Sequence, residues 1–189
     1  MKVIQLHQEE KQLIMLAVEN NRQAQQQIYA KFSSKMLSVC RQYIKDIHHA
    51  EDVMITGFMK VFTNLKNFEH KGSFEGWIRR IMEYECIDFL RVKKNNVNHQ
   101  DIDDVTVSEN ESVYEMEDFS VDDIQNMIDN LPDGYKMVFN LYAIEGYKHQ
   151  EIAEMLKISE GTSKSQLSHA RKLLQQQITD LKNKLNGTK

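Results

Sequence analysis

A chain of 189 residues can form one core or two small ones, and its single Pro and seven Gly favour helix over sheet. The formal charge of −4 hides an uneven distribution: residues 1–94 carry 15 Lys+Arg against 11 Asp+Glu, residues 95–135 carry 12 acids and no Lys or Arg, and residues 136–189 carry 9 against 5. No apolar run reaches the roughly 18 residues of a membrane span, MKVIQLHQEEKQ is too polar for a signal peptide, and Cys40 and Cys86 read as free thiols in a reducing compartment, so a cytoplasmic protein with no membrane insertion is expected.

Taken in order, Glu9 to Glu19 reads as a short helix with Leu13, Leu16 and Ala17 on one side, interrupted at Asn20-Asn21. From Gln23 to Tyr43, Ile28, Phe32, Met36, Val39 and Tyr43 recur at helical spacing and form an amphipathic stripe. Ala50 to Leu65 differs. Met54, Phe58, Val61 and Leu65 make one stripe, and Ile55, Met59 and Phe62 make a second beside it, with Asp52, Thr56, Lys60 and Thr63 on the wet side. A face that wide is either sandwiched in a core or offered to a partner.

The segment NFEHKG, Asn67 to Gly72, breaks the period, and Ser73 caps a helix from Phe74 to about Lys94. Trp77, Ile78 and Ile81 point inward in this reading, while Arg79, Arg80, Tyr84, Arg91, Lys93 and Lys94 are interleaved. Aromatic rings plus cations beside a loop can hold unpaired bases at ~1–3 kcal/mol per stacked base. Core packing of Trp77 and Tyr84 with solvated cations accounts for the same composition. Asn95 to Phe119 has no usable period and dense negative charge, and reads as a flexible acidic linker. Its Asp101, Asp103, Asp104, Glu109 and Glu111 could compete with nucleic acid for the basic faces on either side while no larger partner is bound.

Ser120 caps a helix to Leu131, ended by Pro132; Gly134 to Glu145 follows with Val138, Leu141 and Tyr142 inward, and Gly146 is its C-cap. The stretch Gly146 to Leu174 reads as a helix-turn-helix. Ile152, Ala153 and Leu156 share a face, Lys157-Ile158-Ser159 turns the chain, and Ser159 caps a second helix that buries Leu167, Ala170 and Leu174. That helix continues through Ile178, Leu181 and Leu185 and frays at Asn186-Gly187. Its other side carries Lys164, Ser165, Ser168, His169, Arg171 and Lys172, the donors, acceptors and cations a major-groove helix needs. A solvated face on a helical hairpin is the plainer alternative. The fold class expected is all-α: two small helical domains, residues 1–94 and 120–189, joined by the linker 95–119.

Two segments in this order resemble bacterial RNA polymerase sigma factors of the sigma-70 family, specifically the extracytoplasmic-function (ECF) group. AEDVMITGFMKVFTNLKNFEHKGSFEGWIRRIMEYECIDFLRVKK, Ala50 to Lys94, looks like the second sigma region; LPDGYKMVFNLYAIEGYKHQEIAEMLKISEGTSKSQLSHARKLL, Leu131 to Leu174, looks like the fourth. The resemblance implies binding to core RNA polymerase through the clamp helices of its largest subunit and through its flap, recognition of promoter DNA at two elements, and strand opening. By that correspondence Asp52, Ile55, Phe58, Met59 and Phe62 would meet polymerase. Asn67, Phe68, His70, Lys71, Trp77, Arg79, Arg80 and Tyr84 would engage the minus-10 element, where flipping a base costs a few kcal/mol. Thr162, Lys164, Ser165, Ser168 and His169 would face the minus-35 groove, with Arg171 and Lys172 nearer phosphates. An anti-sigma factor is a further partner the family allows.

The chain departs from that pattern in several places. Ile55-Thr56 stands where a Gln-acid pair is common. Lys157 replaces the usual Gly of the turn, Ser163 replaces a buried Val, and Gln166 and His169 replace frequent arginines, which lowers nonspecific phosphate affinity.

No Walker loop, nucleophile elbow or Cys-x-x-Cys motif is present, and His48-His49 beside Glu51-Asp52 reads as a polar helix start rather than a metal site. Neither catalysis nor a metal or other cofactor is expected. Two other classes remain at this stage. A helix-turn-helix regulator acting without polymerase would need a dimerisation surface, for which Ile178 to Leu185 is the material at hand; a helical adaptor would bind protein alone through Ile55, Met59 and Phe62.

Overall fold

The computed structural model describes the backbone of residues 2–96 and 119–186, with side chains over 9–92 and 119–184. Residues 93–118 fall outside the residues whose side chains are described, and with them Lys93, Lys94 and the predicted linker's Asp101, Asp103, Asp104, Glu109 and Glu111. Among the described residues every regular element is a helix, and the chain divides into two compact units, Met1–Phe89 and Leu90–Lys189.

In the first unit, α1 (Lys2–Val18) packs on α2 (Arg22–Tyr43), and α2 packs on α3 (Ile47–Asn64). Asn20 takes a left-handed conformation, φ 61°, that lets the chain turn, and Asn21 caps α2 by accepting the Ala24 N–H at 3.0 Å. The α2 stripe is as the spacing predicts: Ile28, Phe32, Met36, Val39 and Tyr43 are all buried. In α1, however, Ile14 and Ala17 are buried while Leu16 is 39% exposed. Residues 13–18 are all apolar, so periodicity alone could not choose the inward direction.

Asp46 caps α3 through the His49 N–H at 3.0 Å, so the helix starts at Ile47, three residues before the predicted start. The His49 N–H holds the Asp46 carboxyl below the usual carboxylate range. One 3-10 turn, Leu65–Asn67, closes α3; Ser73 accepts the Gly76 N–H at 3.0 Å and starts α4 (Phe74–Asn96). Gly57 is required by close approach, since a Cβ there would lie 2.3 Å from the buried Met82 sulfur. Cys40 and Cys86 are buried free thiols, and a hydrogen bond with Cys40 plus burial pushes the Cys86 thiol well up, so it stays protonated and unreactive.

The second unit begins with α5 (Val121–Asp129). Its capping box is complete: Ser120 Oγ accepts the Asp123 N–H and Asp123 accepts the Ser120 N–H, both at 3.1 Å. After Pro132 comes α6 (Asp133–Phe139), which passes into a π-helical turn, Asn140–Ile144. That turn corrects one expectation. The wider helix rotates later residues off the 3.6-residue stripe, so Val138 and Leu141 are fully buried while Tyr142 points out at 36% exposure. Gly146, at φ 78°, then ends the segment. The remaining helices, α7 (His149–Leu156) and α8 (Glu160–Asn186), form the helix-turn-helix, with α8 also packed on α5 and α6.

Candidate nucleic-acid interface

Three surfaces carry the candidate residues, two on the first unit and one on the second. On α3, the first stripe is core: Met54, Phe58, Val61 and Leu65 are each 5% exposed or less. The neighbouring stripe is uncovered. Ile55 is 49% and Met59 66% exposed, with Asp52 exposed and Phe62 half-buried beside them. Phe58, expected among the contact residues, is 2% exposed here, meets Tyr29 edge-on at 4.8 Å and backs Phe62 at 6.1 Å.

The second surface is the loop from Phe68 to Ser73 and the adjoining strip of α4. Phe68 lies within 5.4 Å of the ring centres of Phe74 and Trp77, and Phe74 in turn meets Phe32 at 5.7 Å. At 8% exposure Phe68, expected among the contacts to bases, supports the loop from below. His70 is exposed, takes φ 56°, and stands edge-on to Phe68 at 4.7 Å. Its strained backbone is the kind held in place where a loop is shaped for a task. Asn67 and Lys71 are exposed nearby, Lys71 paired with Glu69 at 2.7 Å. Along α4, Trp77 (half-buried), Arg80 and Tyr84 follow one another at three and four residues on one strip, beginning at the loop. Arg79 turns aside toward buried Glu83 at 3.5 Å.

The third surface is α8. Ser159 caps it, accepting the Thr162 N–H at 2.9 Å, and Lys157 makes the turn in a left-handed conformation, φ 57° and ψ 45°. Ile152 and Met155 of α7 and Ser163, Leu167 and Ala170 of α8 are buried. Lys164, Ser165, Ser168 and Arg171 are exposed, while Thr162, His169 and Lys172 are half-buried. Ser165 donates to the Thr162 carbonyl at 3.0 Å, which leaves its oxygen lone pairs turned out as acceptors. Lys164 pairs with Glu160 at 2.7 Å and, with a smaller contribution from His149, holds that carboxyl below its usual range. His169 is not clear of the protein: its ring stacks on Tyr135 at 5.5 Å and 15°.

Sequence reasoning missed one arrangement here. Buried Ser163 is hydrogen-bonded to His149 Nδ1 at 2.9 Å, the His149 ring stacks on Tyr142 at 4.6 Å, and the Arg171 guanidinium lies 5.7 Å over the Tyr142 ring. The one available signal was the polar Ser163 at a buried position, which required a partner. Among the described residues no three His, Cys, Asp or Glu side chains converge as metal ligands would, and no helix is long and apolar enough to cross a membrane.

Comparison with known proteins agrees with this geometry. The family profile for Sigma-70 region 2 matches residues 28–96, and that for Sigma-70, region 4 matches residues 121–174. The ECF RNA polymerase sigma factor SigW of Bacillus subtilis is 29% identical over 163 residues, 79% of this chain and 86% of that protein. The ECF RNA polymerase sigma factor SigE of Mycolicibacterium smegmatis is 30% identical over 132 residues, 67% of this chain and 51% of that protein. In fold, the chain is similar to the sigma factor RpoE of Bartonella quintana, solved in complex with the anti-sigma factor NepR, with a TM-score of 0.54 at 21% identity over 82% of this chain and 96% of that one. With the two matched regions in order and together covering most of its length, the chain belongs to the sigma-70 family, as an RNA polymerase sigma factor of the ECF group.

Proposed function

We propose that this sigma factor works through the three surfaces described, each with its own physical task. The strip Asp52, Ile55, Met59 and Phe62 docks on core polymerase, and burying exposed apolar area at ~25 cal/mol per Å² supplies the attraction. The uncovered Ile55 and Met59 beside a filled core are the observation that carries this reading, since water-exposed methionine and isoleucine side by side have no use in the folded unit itself.

The loop at His70 and the strip Trp77, Arg80 and Tyr84 then hold the minus-10 element. A flipped base stacks on a half-buried ring while the cation meets the backbone phosphates, offsetting the few kcal/mol of unpairing. Thr162, Lys164, Ser165 and Ser168 read the minus-35 major groove from α8, with Arg171 and Lys172 at its phosphate edges. Strand opening draws on this binding free energy, with no catalytic step by the chain. The site of action is the cytoplasm, where polymerase and DNA are. A protein that covers Ile55 and Met59, as an anti-sigma factor would, blocks docking.

Run-off transcription with purified core polymerase on a pool of genomic fragments tests the reading. Specific transcripts that depend on the added protein support it. DNA binding by the free chain, with no co-migration with core and no transcript, would point instead to a helix-turn-helix regulator that acts alone.

A further inference from the structure

Ser163 is fully buried between α7 and α8, on the side of α8 turned away from Ser165 and Ser168. A serine there gives the two helices less apolar contact than a larger aliphatic residue would. What it gains is a directional bond. His149, the first residue of α7, meets the Ser163 hydroxyl through Nδ1 at 2.9 Å. Apolar contacts tolerate sliding, whereas a hydrogen bond weakens steeply as distance and angle depart from their optimum.

The bond does not end there. The His149 ring stacks on Tyr142 at 4.6 Å with 22° between planes, and the Arg171 guanidinium lies 5.7 Å over that tyrosine. A chain of contacts thus leads from the buried side of α8 at Ser163, through the start of α7 and the π-helical turn, to an exposed cation of α8 about two turns further on. Two points on one helix are fixed by one ring pair.

We propose that His149 is a positioning residue for minus-35 recognition: through Ser163 it sets the rotation of α8 against α7, and through Tyr142 it holds Arg171 at its phosphate. This rests on α8 being the minus-35 reader. The base preference of the protein then depends on a histidine that touches no base.

The test uses holoenzyme assembled from the full chain and core polymerase, offered promoter duplexes randomised across the minus-35 element, with bound duplexes sequenced. H149F keeps a ring against Tyr142 and loses Nδ1; H149N keeps an amide able to reach Ser163; S163A removes the hydroxyl. H149F and S163A are expected to change the ranking of minus-35 sequences, by about threefold or more in relative enrichment, and the H149F/S163A double variant no further than either single, because both break the same bond. H149N restores the ranking at least in part.

A uniform loss of binding with the ranking unchanged in every variant would overturn the inference and leave only a packing role. An unaltered profile would overturn it too, with the reading of α8 intact. A wild-type holoenzyme with no preference at the minus-35 positions would overturn both.

Discussion

Ile55 and Met59 stand one turn apart on α3, 49% and 66% exposed, while Met54 and Phe58, the residue before each, are 5% and 2% exposed. The same helix therefore presents a filled side and an unfilled side separated by one residue, and substitutions on the two sides have opposite signatures. M59E is expected to weaken binding to core polymerase about tenfold or more, as for a residue at an interface centre, and to leave the melting temperature nearly unchanged. F58A removes a buried ring and costs ~3–5 kcal/mol of stability. Co-elution with core polymerase beside a thermal melt measures both. A large melting loss in M59E would show Met59 to be structural.

Much of this was legible because the local rules were left undisturbed. Ser73, Ser120 and Ser159 cap helices as their positions predict, and the α2 stripe packs as spaced. The double stripe of α3 was visible, but the spacing could not say which stripe faced the core; that is decided by α2, which meets Phe58 through Tyr29. Tyr142 was misplaced because a π-helical turn is a tertiary response that shifts the register without a sequence mark. His169 shares the α8 face expected to meet DNA, yet Tyr135 of α6, far away in sequence, half covers it. His149 and Ser163 meet across 14 residues and two helices, beyond the reach of any local pattern.

Lys164 is held by Glu160 at 2.7 Å, so on the proposed reading a base acceptor in the major groove must displace that carboxylate. Glu160→Gln should therefore strengthen binding of the holoenzyme to promoter duplex, chiefly at low salt, where exposed charges are least screened. Lys164→Ala should weaken binding with little change in the slope of log affinity against log salt, whereas Arg171→Ala should reduce that slope by about 1. Fluorescence anisotropy over a salt series reads both effects. A slope reduced by about 1 in K164A would place Lys164 on a phosphate and not on the bases.

Asp123 accepts from the Ser120 hydroxyl at 2.7 Å and from its backbone N–H at 3.1 Å, and these bonds hold its carboxyl below the ordinary value of 3.8. A depressed carboxyl adds stability that is present above its unfolded value and is lost as pH falls through the lowered folded value. Asp123→Asn should thus lower the melting temperature of the second unit near pH 7. The gap from wild type should shrink as pH drops below the ordinary carboxylate range, because wild type then loses its own charge-assisted cap. Melts across a pH series check this; a gap that persists unchanged at low pH would mean that the charge plays no part in the cap.

Lys157 ends α7 at φ 57° and ψ 45°, a region where a Cβ crowds the following carbonyl and costs a non-glycine residue about 1 kcal/mol or more. Its backbone N–H still reaches the Ala153 carbonyl, so the cap itself is well made and only the side chain is out of place. Lys157→Gly is expected to raise stability by ~0.5–1 kcal/mol after the greater unfolded-state freedom of glycine is subtracted. Denaturant midpoints should rise with the slope unchanged. Lys157→Ala is the control, because it removes the same charge and keeps the crowding. If K157G and K157A gained equally, the ammonium and not the backbone would be the source of the strain.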